Sequence, residues 1–438
     1  MNPRPLPNTG AATGVFEAIS FFRDPDFAID RFQRHGDVFE TRLIGQQLVF
    51  IRGDRAIGDL LSQSSAVEGW WPNSVRQLLG MKSLANRNGA DHKARRRVVG
   101  QLFSKTALAD YTPSIITMVN DLVGELKQSP QPVALAQRMR GFAFDVIAKT
   151  VLGLDNQSRD DLFKDFEIWT QALFSIPIPI LGTPFAKALS ARERLLNQLS
   201  HLLQDRKESA QSTSGKLNGV DRLLGGVDEN RDPLQDDDLA EQLLLLLFAG
   251  YETTASTLSC LMQSFLLDQT LNEWLQPEIN QIQWPPMEHE LTNLEPESAP
   301  RLNALISEVM RLTPPVGGFF RRTREDITIA GIKIPEGRVI QVALAATNRL
   351  GPDDELERFR PQRHLDGSVQ QILRPFGGGE RVCLGQALAE LEIRLMTVGL
   401  LKQLRLRLVP DQDLSLRMVP SPVPQGGLLV EADQEEIG

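Results

Sequence analysis

The chain has 438 residues, of which 41% are apolar and 24% charged. That balance excludes a disordered or fibrous protein and allows a sizeable core. The 47 Lys and Arg against 56 Asp and Glu give a formal net charge of −9, which disfavours nonspecific nucleic-acid binding, and the two cysteines, Cys260 and Cys383, exclude a disulfide scaffold and a multi-cysteine zinc site.

The N-terminus, MNPRPLPNTG, lacks a basic start followed by an apolar stretch, so no signal peptide or membrane anchor is expected. Residues 1–19 are read as a flexible segment. Residues 38–51 alternate partly and break at Gly45-Gln46-Gln47, which predicts a hairpin. Residues 89–97 read Gly-Ala-Asp-His92-Lys-Ala-Arg-Arg96-Arg97, a local cluster of cations in an acidic chain. Helical apolar spacing covers residues 108–126, 134–153 and 186–208. The polar stretch 209–238 is expected to be largely solvated. The apolar run 243–250 is shorter than the ~20 residues a membrane span needs, so it predicts a buried core helix. That run leads into Ala249-Gly-Tyr-Glu-Thr-Thr254, a pair of small residues followed by an acid–hydroxyl pair. Alone, this is also what a Ser/Thr-containing core helix looks like. Cys260, inside the same helical run, reads as a small buried hydrophobe.

Residues 284–300 predict a surface connection. Glu308-x-x-Arg311 places two charges on one helix face before Thr313-Pro314-Pro315 ends the helix. Glu355-x-x-Arg358 has the same spacing and reads as a solvated pair. Two short strands turn at Ala330-Gly331, and a third covers 339–342. The most informative run is Arg374-Pro-Phe-Gly-Gly-Gly-Glu-Arg-Val-Cys-Leu-Gly, followed by helical spacing over 387–406. Three glycines permit close backbone approaches. A cysteine at a helix N-terminus has a lowered thiol pKa, and a thiolate is a nucleophile or a metal ligand. A single thiolate suits haem iron, because the porphyrin supplies four ligands already. With no linker between separate domains, residues 20–438 are read as one mainly helical domain with minor β structure.

The run Phe376-x-x-Gly379-x-Arg381-x-Cys383-x-Gly385 resembles the haem-binding signature of cytochrome P-450 monooxygenases, with every fixed position present. The resemblance extends from about residue 20 to the C-terminus. It implies a mainly α fold with minor β, a triangular prism of helices around a buried haem b. It implies Cys383 as the axial ligand, within a loop formed by Phe376, Gly379, Arg381 and Gly385. Ala249 and Gly250 would leave room beside the long helix. Glu252 and Thr253 would carry protons toward bound dioxygen. Glu308, Arg311 and Arg363, the last in Phe359-Arg-Pro-Gln-Arg363, would form a buried structural triad. Arg321, Arg381, and His92 with Arg96 would bind the haem propionates, His92 standing where most members have Trp.

By the same resemblance the substrate pocket includes Trp71, Phe174, Phe248, Val316, Gly317, Gly318, Phe319 and Ser421, the glycines making room for a long ligand. Segments 71–72, 175–181 and 314–319 are similar to cyanobacterial relatives of the retinoic-acid hydroxylases. An elongated retinoid or apocarotenoid acid is therefore the favoured substrate, with another lipid or a terpene as the alternative. No flavin or nicotinamide domain is visible, so electrons are expected from an acidic ferredoxin docking on Lys93, Arg95 and Arg97, with Arg374 a further cation near the cysteine loop. A soluble, cytoplasmic enzyme is expected. A thiolate-haem isomerase or lyase and a non-enzymatic haem sensor are the rival functions. The acid–hydroxyl pair argues against the first, and the lack of an output module against the second.

Overall fold

The computed structural model describes residues 4–433 apart from 11–13, 25, 44, 174, 176, 211–218, 351–353 and 370. Two compact units make up the chain, each from two stretches of sequence.

The first unit comprises Met1–Trp70 and Ala304–Cys383. Its centre is a five-stranded sheet in the order Val38–Leu43, Gln46–Ile51, Val339–Ala343, Gly318–Thr323, Val67–Gly69. The expected hairpin pairs Val38 with Ile51 through Leu43 with Gln46, and Gly45 turns it at φ 81°. The sheet is apolar on both faces, because successive side chains point to opposite sides. Val49 and Ile51 join Ile57, Leu60 and Ile340 on one side, while Leu48 and Phe50 join Phe27, Phe32 and Phe39 on the other. The second expected hairpin is also present, with Ile327–Ile329 against Ile332–Ile334. Ala330 and Gly331 both take positive φ, 50° and 78°, as a tight two-residue hairpin turn requires. Near the N-terminus, the Arg4 N–H donates to the Gly331 carbonyl at 2.9 Å and the Thr9 N–H to the Glu40 carbonyl at 3.0 Å.

The second unit comprises Trp71–Asn303 and Leu384–Gly438. Helices Lys105–Gln128 and Pro184–Ala210 contain the stretches expected from apolar spacing. The stretch expected as one helix over 134–153 divides into an α-helix, Leu135–Asp145, and a π-helical turn, Val146–Val151. Among the described residues one helix, Asp236–Leu267, is long and apolar enough to cross a membrane, but 67% of its apolar window is buried inside the protein. The helix after the cysteine, Gln386–Gln403, stops short of the expected end. Leu406–Leu408 instead pairs with Leu429–Ala432, and that tertiary partner overrides the helical spacing. The expectation of a solvated 209–238 fails in part. Gly219–Leu224 is helical with Val220 and Leu223 fully buried, and Asp238 is buried too. The few apolar residues of that stretch are enough to dock it.

Candidate active site

In the first unit the cysteine loop is shaped by its own backbone. The Cys383 N–H donates to the Phe376 carbonyl at 2.9 Å, Gly377 to Arg374 at 2.9 Å and Val382 to Gly379 at 3.1 Å. Gly377 and Gly379 have φ of 76° and 68°, where a side chain would be strained. A Cβ on Gly378 would lie 2.8 Å from Leu61 Cδ1. The fold leaves Cys383 exposed, whereas Cys260 is buried beside the Pro422 carbonyl at 3.5 Å, as packing would have it. Among the described residues no three His, Cys, Asp or Glu are grouped to hold a metal ion.

Two arginines converge near this loop. Gly69 pairs in register with Arg321, and a Cβ on Gly69 would lie 2.5 Å from the Arg381 guanidinium carbon. Burial and the like charge of Arg381 lower the Arg321 pKa to about 10. Arg321 donates to the Phe320 carbonyl at 2.8 Å and covers the Phe319 ring at 4.5 Å. Two neighbouring guanidinium groups suit a ligand carrying carboxylates, and the haem propionates are such groups. Arg374 does not remain an available cation, since it is paired with Asp54 at 2.6 Å.

Glu308, Arg311 and Arg363 meet as one buried group. Glu308 accepts from Arg311 at 2.8 and 2.9 Å, from Arg363 Nε at 2.9 Å and from the Arg360 N–H at 2.8 Å. Arg311 and Arg363 spend their remaining donors on carbonyls of Asn348, Arg358 and Glu355. His364, which the sequence did not single out, hydrogen-bonds Glu308 through Nε2 at 2.8 Å. Burial pushes the Glu308 pKa up, but these donors outweigh it and hold the group at about 2. Glu355 and Arg358 do pair at the surface, 3.0 Å apart.

In the second unit, the long helix presents an open face at Ala249 and Thr253. Ala249 is exposed and Thr253 half-buried on a mostly buried helix, and the Thr253 hydroxyl donates to the Ala249 carbonyl at 2.7 Å. Glu252 is buried and accepts from Arg140 at 3.0 Å. Burial raises its pKa, with Arg140 and Arg417 opposing. Tyr251 points into an aromatic group with Phe144, Phe163 and Phe166, so its ring serves packing. A Cβ on Gly250 would lie 3.0 Å from Ile147, so its smallness also lets the π-turn approach. A further acid, Glu392, lies on the helix after the cysteine. It is buried and hydrogen-bonded to Thr254, and burial pushes its pKa to about 8.

The helix Gly89–Gly100 buries His92 and half-buries Arg96. Lys93 and Arg97 are exposed. Arg95 is not, and this corrects its place on a docking face. Its side chain pairs with Asp238 at 2.9 Å and Glu229 at 2.8 Å. Arg95 therefore has no charge left for a partner.

The expected pocket residues have separate surroundings. In the first unit Val316 and Gly317 are exposed, whereas a Cβ on Gly318 would strike the Val342 carbonyl. Strand pairing thus requires a glycine at 318. In the second unit Phe248 packs edge-on against Trp169 at 5.7 Å, Trp71 is half-buried and Ser421 buried. Gly385 lies against Phe103, 3.4 Å from a would-be Cβ. Phe174 falls outside the described residues.

Comparison with known proteins shows the family. The model of the cytochrome P450 family matches residues 19–431. Cytochrome P450 120 of Synechocystis sp. is 35% identical over 422 residues, covering 95% of this chain and 94% of that protein. Cytochrome P450 26B1 of Danio rerio is 29% identical over 429 residues, covering 94% and 83%. Among solved structures, retinoic-acid-bound cyanobacterial CYP120A1 superposes with a TM-score of 0.89 at 33% identity, covering 99% of this chain and all of that one. The chain belongs to the cytochrome P450 family, whose members bind haem, and is a cytochrome P450 monooxygenase.

Proposed function

We propose that this enzyme hydroxylates an elongated hydrophobic carboxylic acid of the retinoid or apocarotenoid class, using O2 and electrons from a ferredoxin. The observation that supports this substrate is the likeness, along nearly the whole chain, to a structure holding retinoic acid. Haem b, bound through its iron by the Cys383 thiolate, would supply the oxidising chemistry. The protein's residues do the rest. By the family resemblance, Arg321 and Arg381 of the first unit would hold propionates, as would His92 and Arg96 of the second, and Phe376, Gly379 and Gly385 would shape the loop. Glu252 holds a proton more firmly than an ordinary carboxyl, because it is buried. Thr253 keeps its hydroxyl on the half-open face, where the oxygen can still accept. Lys93 and Arg97 are exposed and lie on the face where an acidic electron donor would dock. A soluble protein of the cytoplasm fits that donor.

Two spectra test the reading. The reduced, carbon-monoxide-bound protein should show the strongly red-shifted band of a thiolate ligand, and Cys383→His should abolish it. Titration with retinoic acid should shift the haem band. No shift at saturation, while a fatty acid or terpene produces one, would reassign the substrate. Thr253→Ala should lower product formed per electron consumed by about tenfold or more, with the difference appearing as reduced oxygen species.

A further inference from the structure

The helix Gly89–Gly100 carries His92 and Arg96, and a carboxylate on another element holds arginines at its start and on its side. Asp238 lies in the first turn of the helix Asp236–Leu267 and is only 5% exposed. It accepts from Arg87 Nη2 at 2.6 Å, from Arg95 Nε at 3.0 Å and Nη2 at 2.9 Å, and from Gln242 Nε2 at 2.8 Å. Arg95 also donates to Glu229 at 2.8 Å, and Arg87 to both Asp91 oxygens at 2.7 and 2.6 Å. Neighbouring residues of the long helix extend the grip. Glu241 accepts the Lys82 N–H at 2.6 Å, and Gln242 accepts the Leu84 N–H at 2.8 Å and donates to the Lys82 carbonyl at 2.7 Å.

His92 and Arg96, four residues apart, share one face of their helix, and Arg95 flanks that face. An arginine fork held by a carboxylate has few alternative geometries. Holding Arg95 and Arg87 therefore fixes both the rotation of the helix about its axis and the path of the chain entering it. Buried ion groups of this kind add little net stability, and their best-attested use is to specify register.

We infer that Asp238 is a positioning residue for haem capture: by holding Arg87 and Arg95 it aims His92 and Arg96 at the haem carboxylates. This rests on the proposed contact of His92 and Arg96 with haem. The role needs no contact between Asp238 and the haem.

The test is the rate at which the holoprotein gives up haem to excess apomyoglobin. It is measured for the native chain, Asp238→Asn, the double variant His92→Ala/Arg96→Ala, and the triple variant. Asp238→Asn should speed haem loss about tenfold in the native chain and less than about twofold in the double-variant background, because its effect passes through the residues already removed. An equal factor in both backgrounds would mark a general loosening and overturn the inference, as would no change in the native chain. If the double variant itself loses haem at the native rate, the haem-contact reading fails and takes the inference with it. Arg95→Gln breaks the link from the other side. It should give the same non-additive pattern even if Asp238→Asn does not fold.

Discussion

Two buried glutamates behave in opposite ways, and each gives a measurable pH dependence. Glu308 is held at about 2 by the donors around it. Its contribution to stability is full above the ordinary carboxyl range and is lost as pH falls from about 4.5 toward 2. Glu308→Gln should cost about 3–5 kcal/mol in denaturant unfolding, since Arg311 and Arg363 are left with buried, uncompensated charge. Glu392 is raised to about 8, so its folded state binds a proton that the unfolded chain releases. Stability should therefore decline as pH rises from about 4.5 through about 8. Glu392→Gln should flatten that decline in melting temperature and stabilise the protein at pH 8 by a few kcal/mol. The Glu308–Arg311 spacing was legible because it is local. His364 and Glu392 were not singled out. His364 reaches Glu308 across 56 residues of sequence, and Glu392 sits among helix positions buried on every side. The available signal was its neighbours: Leu388, Ile393, Leu395 and Met396 surround Glu392, which lies off the polar stripe of Gln386, Glu390 and Arg394.

At the scale of elements, small residues decide how closely segments approach. Gly250 admits the π-helical turn at Ile147, and Gly318 admits the carbonyl of Val342. The obstacle at Gly318 is backbone, which cannot rotate away. Gly318→Ala should therefore lower stability by about 2–4 kcal/mol, while Gly317→Ala, whose Cβ would stand 3.8 Å from Ala345, should change it by less than about 0.5 kcal/mol. Paired thermal melts check the contrast; equal effects would mean that strand pairing does not depend on Gly318. Sequence spacing located the long helices and both hairpins, because amphipathic period and turn chemistry are local properties. It missed the π-turn and the strand at Leu406–Leu408, which depend on what lies alongside. The neighbours of Gly250 and Gly318 were not legible either, since a missing side chain does not say what lies alongside it.

For the whole molecule, the net charge of −9 conceals a sorted distribution. Arg95 and Arg374 are consumed in internal pairs, while Lys93 and Arg97 remain exposed. Reduction by an acidic ferredoxin should slow as salt is raised, and Lys93→Glu/Arg97→Glu should slow it by about tenfold at low ionic strength. Stopped-flow reduction measures both; Arg95→Gln, by contrast, should act on haem retention rather than on the salt dependence. The sequence by itself determined the family and the fold class: a single cysteine in a glycine-rich loop before a helix, an acid–hydroxyl pair, and a mainly helical chain with two hairpins. These are encoded within short windows, where spacing fixes which groups share a face or a turn. Only the tertiary structure decided which charges are taken up in buried pairs. Whether an arginine is a docking group, a propionate ligand or half of a buried pair depends on the carboxylates that distant segments bring to it, as Asp238 comes to Arg95 from 143 residues away.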